Sequence, residues 1–340
     1  MSRHGVRFPR DERAHDVDYE WWYVHGYLGN EAGHRFAFMY CFFKFKRDAV
    51  ARYFPQLRSY PARTLYTLDL GLTDVAAQTH HADELIFLPW LGHTRVGRLR
   101  FGVRLGANWL RKLTRQRYAL HLEHHQRRID LHLFDQQGAV LHGRDGVLGV
   151  RGFGETLYYS QPRLRAEGRL ELPDGSAEYV HGNAWIDHQW GDFLPEQPFM
   201  FWTWIGAQLD DGSTLMLFQF FGATGRVIAV RGTWTGAAGR RRTFTDATLT
   251  PLHTWRSGKS DVRYPVDVEL AVPALRLLVR LHADVRDQEM HSSFFSYWEG
   301  ACTVVGMHAG HAIGGKAYLE HTGYDLMAPP AVERRLHATR

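Results

Sequence analysis

The densest chemistry in the chain lies in Trp185-Ile-Asp187-His188-Gln189-Trp190-Gly191-Asp192, where an acid and an imidazole stand side by side between two indoles. A carboxyl group walled by aromatic rings loses solvation of its charged form, so its pKa rises and it keeps a proton near neutrality. Such a group can protonate a poor base such as a carbon–carbon double bond. Indole and phenol faces then steady the cation by about 0.5–2 kcal/mol per ring. Acid and aromatic residues meet again in Glu20-Trp21-Trp22-Tyr23, Tyr297-Trp298-Glu299-Gly300 and Tyr318-Leu319-Glu320-His321. The plain alternative is structural: Asp187 and His188 as a buried pair in a domain seam, the other acids as acceptors for Arg or Tyr.

Other motifs fall short. Gly310 to Lys316 has the Gly-x4-Gly-Lys spacing of a phosphate loop, but Ala317 stands where Ser or Thr would hold magnesium, and strand-like residues follow instead of a helix. Gly149-x-x-Gly152-x-Gly154 has the wrong spacing for a dinucleotide site, and no Gly-x-Ser-x-Gly elbow exists. An ester or lactone hydrolase therefore lacks an identifiable nucleophile. On a strand, His121, Glu123 and His125 would share a face, and His308 with His311 forms a second cluster. With 21 His in the chain such coincidences are expected, and neither a metal nor another cofactor is assigned.

The elements that must position these groups are strands. The chain has 340 residues, 44% hydrophobic and 23% charged, which excludes disorder and coiled coil, and 14% aromatic, which is high. Ile129, Leu131 and Leu133 alternate with polar or outward residues, as do Tyr118, Leu120, Leu122 and Val266, Val268, Leu270. Turn signals such as Pro173-Asp174-Gly175 and Asp210-Asp211-Gly212 separate the runs. The spacing predicts antiparallel barrels with little helix, at most Gly106–Tyr118 and a stretch near Asp48–Tyr53. Trp22-x-x-x-Gly26 and Trp202-x-x-x-Gly206 each precede a tight turn and an apolar strand, which suggests two similar domains. Boundaries of 1–183 and 184–330 follow, with 181–198 as a packed connection.

The formal charge of +5 is the small difference of 41 basic and 36 acidic residues, dispersed apart from Arg240–Arg242. No nucleic-acid partner is expected; peripheral contact with an anionic membrane surface stays open. Cys41 and Cys302 sit in apolar stretches and read as buried thiols. Neither a signal-like apolar region at the start nor a run of ~20 apolar residues occurs, so a cytoplasmic location is expected.

Together Glu20-Trp21-Trp22-Tyr23, Tyr158-Tyr159-Ser160 with Arg163 and Gly168, Trp185-x-Asp187-His188-x-Trp190-Gly191, Tyr297-Trp298-Glu299-Gly300 and Ala317-Tyr318-x-Glu320-x-Thr322-Gly323-Tyr324 resemble the AttH-type lipocalin-like proteins, a group related to carotenoid 1,2-hydratase (hydroxyneurosporene synthase). The resemblance implies an all-β chain of two consecutive lipocalin-like barrels. It also implies a hydrophobic isoprenoid or polyketide-like small-molecule substrate and cofactor-free acid–base chemistry: hydration by a hydro-lyase, or isomerisation or cyclisation. Asp187 is the expected acid, with His188 setting its protonation and Tyr159 or Glu299 holding water. Glu20, Trp21, Trp22, Tyr23, Trp185, Trp190, Trp204, Tyr297, Trp298, Tyr318 and Glu320 are expected around the substrate. Gln189 stands where many relatives have Glu, and many relatives carry a secretion signal. The competing expectation is a non-catalytic carrier of an apolar ligand; no protein partner is identifiable.

Overall fold

A computed structural model describes residues 5–150, 154–192, 201–222, 224–291 and 296–324. Among them the chain is all-β, in two antiparallel sheets. The first contains β1 (Tyr19–Gly29), β2 (Arg35–Lys46), β3 (Thr64–Asp74), β4 (Thr79–Phe87), β5 (Thr94–Val96), β6 (Gly102–Leu105), β7 (Asn108–Thr114), β8 (Arg117–His124), β9 (Arg127–Asp135), β10 (Val140–Leu141), β11 (Val147–Val150), β12 (Gly154–Glu171) and β13 (Ala177–Gly191). It wraps into a nearly closed barrel. The second, a half-barrel, contains β14 (Phe201–Leu209), β15 (Thr214–Phe221), β16 (Val227–Thr235), β17 (Arg241–Phe244), β18 (Thr248–Arg256), β19 (Arg263–Val272), β20 (Leu277–Ala283), β21 (Glu289–His291), β22 (Ser296–His308) and β23 (His311–Thr322).

Both sheets follow one scheme. Each is a meander whose first strand pairs with its last, β1 with β13 and β14 with β23. Hairpin turns are built alike: Asp174 accepts the backbone N–H of Ser176 at 2.8 Å and Asp211 that of Ser213 at 2.8 Å. Gly175 and Gly212 supply φ of 81° and 85° at these turns. The alternating runs behave as their period requires. Ile129, Leu131 and Leu133 point inward at 1%, 2% and 0% exposure, while Asp130, His132 and Phe134 alternate with them on the outer face. One apolar core fills the first sheet, with Phe38, Leu68, Leu133 and Leu164 in it; another, with Ile205, Val268 and Leu319, fills the second.

Two expectations need correction, and a third holds in shortened form. Gly106–Tyr118 is no helix: Gly106 turns at φ 62°, β7 pairs with β8, and Asn108 and Leu110 are buried while Arg111 is exposed, a period of two. The stretch near Asp48 forms one short helix, α1 (Arg47–Val50). The division between domains does not fall at 183, because β13 belongs to the first sheet along its whole length. Among the described residues the compact units are 5–149 with 154–192, and 201–222 with 224–291 and 296–324. Residues 193–198 of the expected connection, Gly152 of the glycine motif and the stretch 325–330 lie outside the described residues. The repeat matches in topology but not in facing. Trp22 joins the inner core, whereas Trp202 lies on the outer face with Glu320.

Candidate functional site

Alternation along β13 decides the chemistry of the richest motif. Ala184 and Ile186 belong to the inner core, so His188 and Trp190 face inward and Trp185 and Asp187 outward. Consecutive strand residues cannot share a face. Asp187 and His188 therefore do not form the expected pair, and each has a different set of partners.

His188 meets Glu20. Its Nε2 lies 3.0 Å from Glu20 Oε1, and its Nδ1 lies 3.2 Å from the Tyr159 hydroxyl. Glu20 also accepts the His15 backbone N–H at 3.0 Å, His15 Nδ1–H at 2.9 Å and Lys44 Nζ at 2.8 Å. Burial opposes the Glu20 charge, yet these donors outweigh it and hold the carboxyl far below its ordinary value. Burial pushes the His188 imidazole down although Glu20 pulls the other way. A neutral ring that donates from Nε2 to Glu20 and accepts the Tyr159 hydroxyl at Nδ1 satisfies both contacts. Trp22 stacks on His188 at 5.1 Å and Trp190 on His15 at 4.0 Å.

Asp187 lies on the outer face, 3% exposed. Its Oδ1 accepts Trp185 Nε1–H at 2.6 Å and the Ser160 hydroxyl; its Oδ2 accepts the Tyr158 hydroxyl at 2.9 Å. Register explains the set: Ser160 is opposite Asp187 on β12, Tyr23 is opposite it on β1, and Trp185 is two residues back on the same face. His142 continues the network, with Nε2 2.6 Å from Ser160 Oγ.

The second sheet repeats the design. On β23, Leu319 belongs to the inner core, so His321 faces in and Glu320 out. His321 Nε2 donates to the Pro265 carbonyl at 2.7 Å and Nδ1 accepts the Thr203 hydroxyl at 2.8 Å, the same tautomer as at His188. Burial pushes this imidazole down to about 3. Glu320 Oε1 accepts Trp202 Nε1–H at 2.9 Å and the Thr322 hydroxyl at 2.6 Å. Burial pushes its carboxyl up to about 7, against the pull of these two donors. Glu299 stands opposite Glu320 on β22, and Trp204 opposite it on β14.

The expected residues thus divide between faces. Glu20, Trp22, Tyr159, His188 and Trp190 converge inside the first sheet. Trp21, Tyr23, Trp185 and Asp187 lie on its outer face. Trp204, Tyr297, Glu299, Tyr318 and Glu320 share the outer face of the second, and Trp298 is in its core. Sequence reasoning missed His15, Lys44, His142, Tyr158, Ser160 and His321 as site members. One signal was available: Trp185-x-Asp187-His188 and Tyr318-x-Glu320-His321 are the same aromatic-x-acid-His word.

Two groups of described side chains bring metal-type donor atoms together: His15 with Glu20 and His188, and Asp83 with His124 and His125. In the first, the Lys44 ammonium already lies against Glu20 where a cation would sit. In the second, at an exposed turn, Asp83 Oδ2 lies 2.7 Å from His124 Nε2 and 3.1 Å from His125 Nε2. His121, Glu123 and His125, which a regular strand would place on one face, do not assemble, because His125 leaves the strand at φ 48° and His121 pairs with Asp130 at 2.6 Å.

Comparison with curated proteins yields no match. Among solved structures, one assigned as AttH from Nitrosomonas europaea is similar at 29% identity over 95% of this chain and 98% of that one, with a TM-score of 0.83. Kievitone hydratase from Nectria haematococca shares the fold at 17% identity, over 94% of each chain, with a TM-score of 0.73. The AttH-like family profile matches residues 1–324, and the chain belongs to that family.

Proposed function

We propose that this protein is a cofactor-independent acid–base enzyme that adds water across a carbon–carbon double bond of a hydrophobic, isoprenoid- or carotenoid-like substrate. Cyclisation or isomerisation results where an internal group, rather than water, captures the cation. The carrying observation is Asp187: a carboxyl group with acceptor contacts on both oxygens, set beside Trp185, Tyr158 and Tyr23. Trp185, Ser160 and Tyr158 fix the Asp187 carboxyl group in place, and in this reading it is the acid–base group that meets the double bond, the cation and the attacking water. His188 keeps a positioning role, since its partner is Glu20. The fold of a protein named as a hydratase supports the reading.

A carrier that used the barrel cavity would need an open lumen. Phe38, Phe42, Leu68, Leu105, Leu133 and Leu164 inside the first sheet are 0% exposed, which counts against a ligand held among them. The test is incubation of purified protein with acyclic isoprenoid alkenes in ¹⁸O-water. Alcohol carrying ¹⁸O is expected, and Asp187→Asn lowers turnover at least a hundredfold with an unchanged circular dichroism spectrum. Absence of labelled alcohol from every alkene overturns hydration; full turnover by Asp187→Asn overturns the role of Asp187.

A further inference from the structure

Asp83, His124 and His125 take no part in either acid–imidazole arrangement. Asp83 lies midway along β4, opposite Leu70 of β3, and β4 ends the strand order of the first sheet. The two histidines belong to the β8–β9 hairpin, which shares no ladder with β4. Consecutive residues of a regular strand face opposite ways, so His124 and His125 would part. Here φ of 48° at His125 and 61° at Gln126 take the turn through the left-handed region, and the two rings come to one side with centroids 3.8 Å apart. Each aims Nε2 at the same atom, Asp83 Oδ2, at 2.7 and 3.1 Å, while Asp83 Oδ1 accepts the Glu84 backbone N–H at 2.8 Å.

The convergence has the dimensions of a metal site. Zinc bonded at about 2.0–2.1 Å in a tetrahedron holds its ligand atoms roughly 3.3 Å apart, so both Nε2–Oδ2 separations need to open by only a fraction of an ångström. The charge agrees. Burial pushes the Asp83 carboxyl up, yet His124, the Glu84 N–H and His125 outweigh it and hold the group below its ordinary value as an anion. At Glu20 a lysine stands in the place of a cation, whereas Asp83 has only these two imidazoles as ion-pair partners among the described residues. Arg127, at the start of β9, is turned to His81 Nε2 at 3.0 Å.

We propose that Asp83, His124 and His125 form a zinc site, with two imidazole Nε2 atoms and one carboxylate oxygen as ligands and water in the remaining place. Each ring keeps its hydrogen on Nδ1 and presents the Nε2 lone pair to the ion. The ion is structural: it ties β4, which among the described residues pairs only with β3, to the β8–β9 hairpin, a link across the first sheet that no backbone ladder supplies.

The test is calorimetric titration of the full chain, purified without a histidine tag and stripped with a chelator, with zinc chloride. The wild type is expected to bind one ion, since Lys44 keeps the Glu20 cluster closed, and to melt at a higher temperature with zinc than without. Asp83→Asn and His125→Ala are each expected to weaken binding at least tenfold and to lose the rise in melting temperature. The His125 side chain is 69% exposed, so its removal leaves the fold intact. His253→Ala, which removes an exposed imidazole beside Asp267 in the second sheet, is expected to bind as the wild type does. Absence of zinc uptake by the wild type overturns the proposal. Equal affinity in the wild type, Asp83→Asn and His125→Ala marks an adventitious ion on other histidines and overturns it as well.

Discussion

Glu20 on β1 and His188 on β13, 168 residues apart, meet at 3.0 Å with no exposed surface on either side chain. The contact spans the seam where the first and last strands of the first sheet pair. A buried carboxylate with three hydrogen-bonding neighbours, His15, Lys44 and His188, is costly to leave unpaired, so this seam is sensitive to protons and to loss of a partner.

Acid should therefore weaken the protein in two stages. His25, His188 and His321 are all buried with imidazoles pushed down by burial, so they fold neutral while the unfolded chain takes up protons below about pH 6.5. Their contribution is complete above that pH and is lost as pH falls toward the lowered values. The depressed Glu20 carboxyl adds a second loss below about pH 4.3, the unfolded value. Urea melts from pH 8 to 4 should show stability falling on the order of a few kcal/mol; a flat profile would contradict the neutral assignment.

Lys44 holds the place of a cation beside Glu20, 2.8 Å away. Lys44→Met should cost about 3–5 kcal/mol, because the carboxylate loses its charged neighbour. The same variant frees His15, Glu20 and His188 for zinc. Isothermal titration should detect one zinc ion in Lys44→Met and none at this site in the wild type.

Gly168 on β12 lies between β9 and β13, and a Cβ there would collide with the Asp130 carbonyl oxygen. Backbone cannot step aside cheaply, so Gly168→Ala should lose about 1–3 kcal/mol or more. Gly175→Ala, at φ 81° with nothing within 4 Å, should cost only the left-handed strain, ~1 kcal/mol. Equal melting temperatures for the two would refute the crowding at Gly168.

Trp185→Phe keeps a smaller aromatic ring but removes the N–H that reaches Asp187 Oδ1 at 2.6 Å. Stability should drop by about 1.5–3 kcal/mol, the range for a hydrogen bond to a charged group. Turnover should drop with it, whereas Trp190→Phe, whose ring stacks on His15 inside the barrel, should affect stability more than rate. Chemical denaturation and steady-state kinetics on both variants separate the two effects.

Strands were readable from composition because alternation is local: Ile129, Leu131 and Leu133 announce an inner face without knowledge of any partner. The short run Asn108-Trp-Leu-Arg-Lys-Leu-Thr114 misled because its apolar residues fit helical and strand periods over so few turns, and pairing with β8 decides it. The site was half legible. Asp187 and His188 stood out by type, but adjacency in sequence disguised the fact that a strand sends them apart. Glu20 and Lys44 could not be joined to His188 from sequence, since strand pairing brings them together over 144 to 168 residues. The matching of Asp187-His188 with Glu320-His321 was written in the chain, yet only the facing of β13 and β23 gives the repeat meaning.

Pairing of first strand with last sets a condition on synthesis as well as on shape. Until β13 emerges, β1 is an uncovered edge whose sequence, Tyr-Glu-Trp-Trp-Tyr-Val, is strongly apolar and aromatic, and β14 waits in the same way for β23. The strand that carries each acid–imidazole word is thus the strand that seals each sheet. A chain interrupted before that strand would lack the sheet's acid and imidazole together with the cover on its open edge.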